Sequence, residues 1–299
     1  MEISIFEFDE DVDKLTAGLR TAAEQGFARY WRPQVFGMDT LTAFAVAARA
    51  VPDIRVGTAV VPTYPRHPMM LAQQALTVQS AIGDRLDLGI GLCHKPVVEG
   101  CWGIPFERPV AHLRDYLSVL VPLLVDRKAS HSGEMVTGRG EITPPPAAAP
   151  PVLVAALGPQ MLRLTGRMAD GTITWMTGPK TLAELTVPTI NDAAEAAGRP
   201  APQVVAAFPV CVTDDPDAAR ALAARDYAVY GTLPSYRAML DREGLDGPEG
   251  IALIGSAGEV GDRIRALADV GVTCFGGGAF GNSDELAATR DLLVSLLAG

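Results

Sequence analysis

LVAALGPQMLRLTG, residues 153–166, sets a short apolar run, Leu153 to Leu157, directly before a helical pattern at Met161, Leu162, Leu164 and Thr165. Only Gly158 separates the two. The run has the length of a buried strand and the period that follows is that of a helix, so the stretch reads as a strand delivered straight into its crossover helix. Pro159 takes the first helical position, where a missing N–H costs nothing. No Ser, Thr, Asp or Asn precedes it to cap the free amides. Those amides are left for some other acceptor.

Outward from this unit, the same alternation fills the chain. Strands are expected at Ile3 to Phe8, Arg29 to Arg32, Arg55 to Val61, Leu86 to Gly91, Val152 to Ala156, Thr172 to Met176, Val204 to Val212 and Val272 to Gly276, with amphipathic helical stretches between them. Eight such strands with crossover helices predict an α/β protein of the (β/α)8 TIM-barrel class, read as one domain over residues 1–299. The period breaks twice. After the fourth helix, HSGEMVTGRGEITPPPAAAPP, residues 131–151, is rich in Gly and Pro and predicts a loop or hairpin followed by an extended segment. Gly231 to Gly255 interrupts the crossover from the seventh strand to the eighth, and insertions of this kind often close over a site.

Composition narrows the function. A net charge of −10 excludes a broad nucleic-acid footprint, which needs clustered Lys and Arg. An anionic ligand must then be met locally, by backbone dipoles or a few basic side chains. Cys93, Cys101, Cys211 and Cys274 form no CxxC pair, so no zinc ribbon or dithiol motif is written here and no metal site is expected. With no leader-like N-terminus and no apolar run of membrane-spanning length, a cytoplasmic protein with reduced thiols is expected.

In a parallel barrel the ligand meets the C-terminal strand ends. Four such segments, VGTAVVPTYPRHP (56–68), GDRLDLGIGLCHKP (83–96), AALGPQMLRLTGRMADG (155–171) and WMTGP (175–179), resemble the luciferase-like monooxygenase superfamily. Within it they are similar to the oxidoreductases that use the deazaflavin coenzyme F420. The resemblance spans nearly the whole chain. It implies a barrel that binds F420, or alternatively FMN, and performs redox chemistry on a small organic substrate that it does not name. Relatives commonly pair through barrel helices, which implies a homodimer.

Carried over residue by residue, the resemblance places Ala59-Val60, after Thr58, where relatives often hold a non-proline cis peptide against the ring. Gly89 and Gly91 match the glycines after the fourth strand, where a missing Cβ permits close approach. His94 corresponds to a position of an acid or base near the reactive carbon. The helix start after Ala156 and Leu157, at Gly158, Pro159, Gln160 and Met161, is expected to hold the cofactor phosphate, each hydrogen bond to a charged acceptor contributing about 1.5–3 kcal/mol. Trp175, Met176, Thr177, Gly178 and Pro179 would close the same wall, with Lys180, Arg66, His67 or Lys95 as a nearby charge. FGGGAFG, residues 275–281, ranks second as a phosphate loop and is otherwise expected to be a flexible rim.

On the substrate side, Trp31, Tyr64, Trp102, Tyr236 and Phe280 are expected near strand ends or in the insertions, as an apolar cover. Where several relatives carry an Asp-His pair after the second strand, this chain has Gln34 and Val35, which removes the usual base; Gln34 could hydrogen-bond ring or substrate. The expected activity is hydride transfer between F420 and a small molecule. The alternatives are an FMN-dependent monooxygenase and a non-catalytic cofactor-binding barrel.

Overall fold

Eight parallel strands pair in chain order in the computed structural model, which describes residues 1–34 and 36–298. They are β1 (Glu2–Phe6), β2 (Arg29–Arg32), β3 (Arg55–Thr58), β4 (Leu86–Gly91), β5 (Val152–Val154), β6 (Gly171–Trp175), β7 (Gln203–Val212) and β8 (Cys274–Ala279). β8 returns to β1 with Glu2 opposite Cys274 and Ile5 opposite Gly277, so the sheet closes and keeps no free edge. Outside it lie α1 (Val12–Glu24), α2 (Thr40–Ala47), α3 (Pro68–Ile82), α4 (Pro109–Asp126), α5 (Pro159–Met168), α6 (Val187–Ala196), α7 (Ala257–Asp269) and α8 (Ser283–Ser295). This is the predicted (β/α)8 barrel. Local chemistry starts the helices: Asp11 and Asp39 cap α1 and α2, and Ser256 with Glu259 and Asn282 with Glu285 form capping boxes on α7 and α8.

The barrel interior is filled below the mouth by Trp31, Leu153, Ile173, Val205, Ala207 and Cys274. Trp31 is fully buried, and its indole N–H donates to Ser4 Oγ at 3.1 Å. Its ring lies where a Cβ on Gly57 of the neighbouring strand would have to be, which is why that strand position is glycine. At the base, Asp87 is 1% exposed and pairs with Arg29 at 3.1 Å and Arg55 at 2.7 Å, joining β2, β3 and β4.

The two insertions differ in how far the sequence anticipated them. The first is an antiparallel hairpin, Lys128–Ser132 with Thr137–Glu141, as expected. Buried Asp115 on α4 holds its turn by accepting the Met135 amide at 2.8 Å. The second, expected to be irregular, contains the helix Pro234–Glu243 and the strand Leu253–Gly255, which adds to the outer end of β7 with Leu253 opposite Val210. A further short helix, Lys95–Gly100, follows β4.

The glycine run needs a correction. Gly276, Gly277 and Gly278 are buried within β8 and form no flexible rim. A Cβ on Gly277 would come 2.7 Å from Leu293 of α8, and one on Gly278 would sit 3.4 Å from the Trp175 ring. Close packing on both faces of the strand, not mobility, accounts for the glycines. Among the described residues no helix is long and apolar enough to cross a membrane, and no cluster of His, Cys, Asp and Glu could hold a metal ion.

Candidate active site

A cavity of about 500 Å³ opens at the C-terminal mouth of the barrel, where β1, β4 and β6 end in Phe6, Gly91 and Trp175. Phe6 and Trp175 stack with centroids 4.8 Å apart and planes 14° from parallel, making an apolar floor. Beside it stands the Ala59-Val60 bond, which is cis as expected. β3 stops at Thr58, and Val61–Pro62 resume pairing with β4, Val61 opposite Ile90. Gly89 and Gly91 make room for this bulge. A Cβ on Gly89 would overlap the Thr58 carbonyl oxygen, and one on Gly91 would lie 2.6 Å from Val60 Cγ2. Thr58 itself is fully buried and donates to the Gly89 carbonyl at 2.7 Å, so it locks β3 to β4 from behind the wall.

After Gly91 the chain turns through Cys93, at φ 62°, and presents His94 to the cavity. Burial without a charged partner lowers the His94 pKa below its ordinary 6.5, so the imidazole is neutral at pH 7. Burial likewise pushes the Cys93 thiol up, keeping it protonated. Lys95 is the one charged side chain of the lining, exposed at the rim and 3.8 Å from Glu99. The opposite wall is Leu233, Pro234, Ser235 and Tyr236 from the second insertion. The Tyr236 ring stands 5.7 Å from His94 and 4.8 Å from Tyr230.

Leu157, Gly158 and Met161 bring the start of α5 to this cavity. Gly158 is its N-cap, with φ −87°, and the first intrahelical return is from Leu162 N–H to the Gly158 carbonyl at 2.9 Å. Among the described residues, no acceptor takes the amide of Gln160 or Met161. The opening Gly-Pro step occurs again at Gly178-Pro179 with the opposite outcome. There the amides of Thr181 and Lys180 donate to the Glu243 carboxylate at 2.6 and 3.3 Å. One Gly-Pro helix start is plugged by the protein's own anion and the other opens onto the cavity.

The residues singled out by sequence divide accordingly. Ala59, Val60, Gly91, His94, Leu157, Gly158, Met161, Trp175 and Tyr236 line one cavity. Pro159 and Gln160 sit exposed at its rim, where only their backbone bears on the helix start, and Ala156 is buried behind it. Trp31 is core, not cover. Gln34 is turned to α2, accepting the Thr40 amide at 3.1 Å and donating to Asp39 at 3.3 Å, so it braces a helix start. Val35 lies outside the described residues.

Tyr64 stands outside the cavity between Phe106 and His112, with its hydroxyl donating to the Glu107 carbonyl at 3.1 Å. Trp102 is half-buried outside the lining, and Phe280 packs edge-on against Tyr227. Met176 and Thr177 are buried away from the lining, Gly178 is covered by Glu243, and Pro179 and Lys180 are exposed beyond it. Arg66 pairs with Asp39, and His67 caps α3, leaving Lys95 as the rim cation. Sequence reading missed Phe6, Cys93 and Leu233. Phe6 carried a usable signal, since the alternation of Ile3 and Ile5 with Ser4 and Phe6 puts it on the face opposite the two isoleucines.

Comparison with known proteins gives the family and the fold. Residues 7–274 match the family model described as luciferase-like monooxygenase. A 5,10-methylenetetrahydromethanopterin reductase of Methanolobus tindarius is 29% identical over 255 residues, covering 85% of this chain and 77% of that protein. Among solved structures, the coenzyme F420-dependent tetrahydromethanopterin reductase of Methanopyrus kandleri superposes with a TM-score of 0.81 at 22% identity, covering 98% of this chain and 97% of that one. A type II Baeyer-Villiger monooxygenase of Pseudomonas putida in complex with FMN gives 0.76 at 17% identity, covering 98% and 96%. The chain therefore belongs to the luciferase-like monooxygenase family.

Proposed function

We propose that the chain is an F420-dependent oxidoreductase that moves a hydride between the deazaflavin ring and a small organic substrate. The observation that carries this reading is the uncapped pair of amides at Gln160 and Met161, set beside an apolar cavity that the Ala59-Val60 bulge walls. The residues fit such a group. Two free main-chain donors at a helix N-terminus suit a phosphate on an otherwise acidic protein, and the glycines behind Val60 keep the bulge in place. When bound, F420 supplies a carbon that accepts or gives a hydride.

The chain's own residues bind, enclose and supply a proton site. Phe6, Trp175, Leu233 and Tyr236 exclude water from the enclosed volume. His94, neutral at pH 7, holds a hydrogen bond to a substrate oxygen and can exchange a proton with it. Among the described residues the one charged side chain of the lining is Lys95 at the rim, which favours a substrate whose entering part is uncharged.

FMN is the second reading, because the same two amides suit its phosphate as well and a family fold with bound FMN is superposable on this one. Titration of the protein with F420 and with FMN, followed by fluorescence, tests both. Tight binding of F420 with weak binding of FMN is expected. The reverse, with oxygen consumed on reduction, would move the assignment to the monooxygenases; binding of neither would end both. A homodimer, expected from the family resemblance, is read in the same samples by solution mass.

A further inference from the structure

We propose that Glu243 is a positioning residue of the site: its carboxylate clamps the segment 233–236 over the cavity by capping the helical turns that begin at Pro179. The helix Pro234–Glu243 carries cavity-lining residues at its first turn and Glu243 at its last. There Oε1 accepts the Thr181 amide at 2.6 Å and Oε2 the Lys180 amide at 3.3 Å, across 62 residues of chain in the first case. The approach depends on Gly178, since a Cβ there would overlap the Glu243 carboxylate. Those turns follow directly on β6, whose last residue, Trp175, forms the cavity floor.

One carboxylate thus ties the covering wall to the floor. A second tie to the same turns, Arg242 to Glu184 at 4.0 Å, is long and half-exposed, and the remaining polar ties of the helix are local: Arg237 pairs with Asp241 at 2.7 Å and donates to the Asp246 carbonyl at 2.6 Å and to the Leu245 carbonyl. Met239 and Leu240 bury apolar surface near its end. Removing the carboxylate leaves Met239, Leu240 and the half-exposed Arg242–Glu184 pair to seat the end of the helix, and only the packing of Leu233 and of Tyr236 on His94 and Tyr230 to hold its first turn, which then lifts from the mouth more often. Charge-assisted bonds to amide donors are the stronger class, so their loss should be felt as opening rather than absorbed.

The inference rests on this cavity being the active site, and its test needs no cofactor, so a failure of F420 to bind leaves the result standing. Cys93 lines the cavity under segment 233–236, Cys211 and Cys274 are buried, and Cys101 is exposed. In a Cys101→Ala background, the rate of N-ethylmaleimide labelling of Cys93, read by mass spectrometry, reports how often the wall opens. Glu243→Ala should raise that rate by about tenfold or more. Glu243→Gln, which keeps one carbonyl acceptor for Thr181, should restore most of the protection. Equal rates in all three proteins would overturn the proposal. Should Glu243→Ala fail to fold, Gly178→Ala, whose Cβ would displace the carboxylate, decides: faster deuterium exchange at the Lys180 and Thr181 amides accompanied by faster Cys93 labelling supports the clamp, and unchanged rates refute it.

Discussion

The rings of Tyr64 and His112 lie face to face, 4.0 Å between centroids and 2° from parallel. Phe106 stacks on Tyr64 at 5.0 Å, and His112 Nε2 shares a hydrogen bond of 3.1 Å with Thr63 Oγ1. The loop after β3 is thereby pinned to the first turn of α4. Burial lowers the His112 pKa to about 4, against the opposing pull of Asp115.

That shift fixes a sign. Between about pH 4 and 6.5 the unfolded chain binds a proton at His112 that the folded chain does not, so its contribution is full above 6.5 and is lost as pH falls toward 4. His112→Phe keeps an aromatic ring on Tyr64 and removes the titration. Urea unfolding of parent and variant should show a smaller stability difference at pH 5 than at pH 7. The variant should lose about 1–3 kcal/mol at pH 7 from the stranded Thr63 hydroxyl. A difference unchanged between the two pH values would contradict the assignment.

Asp87 is the buried carboxylate that Arg29 and Arg55 share at the base of the barrel. Asp87→Asn leaves the partly exposed Arg55 guanidinium without its carboxylate and Arg29 with Glu2 at 3.3 Å and Gln203 at 3.2 Å, and should cost about 1–3 kcal/mol. Chemical denaturation measures it. A loss below about 1 kcal/mol would show that the arginines find other partners and that the triad is not what joins β2 to β4.

Gly89 and Gly91 should respond differently to the same substitution. At Gly89 the new methyl meets backbone, the Thr58 carbonyl, which cannot move without unpairing β3 from β4. At Gly91 it meets the tip of Val60. Gly89→Ala should therefore destabilise by about 2 kcal/mol or more, and Gly91→Ala by roughly 1 kcal/mol while pushing Val60 into the cavity and weakening cofactor binding. Thermal unfolding and a cofactor titration on both variants check the ordering; the reverse order would mean that the bulge is held by something other than these glycines.

Most of the barrel was legible because strand and helix periods alternate without ambiguity from Ile3 to Leu297, and Pro159 and Pro68 mark helix starts. The cis bond and the open helix start were legible through family resemblance joined to the missing cap. What sequence could not supply was direction. Trp31 follows its strand's inward parity, but Gly57 opens a recess beside it that draws the indole into the core. Gln34 and Tyr64 stand after strands, yet loop geometry turns them to α2 and α4. FGGGAFG looked mobile because glycine is poor in strands, and only the packing of Trp175 and Leu293 against it shows why a strand needs it there. Glu243 gave no signal, since its partners lie some sixty positions away.

The most direct test of phosphate binding at α5 is Gly158→Asp. Nothing lies within 4 Å of a Cβ at this position and its φ is ordinary, so the side chain fits. As an N-cap it would take the amides of Gln160 and Met161, stabilising the protein by about 0.5–2 kcal/mol. A bound phosphate would lose both donors and meet a carboxylate. Isothermal titration of F420 into parent and variant should show affinity lower by about a hundredfold or more in a protein whose melting temperature has risen. Equal affinity in the two proteins would mean that the anionic tail is held elsewhere and would contradict the site proposed for it.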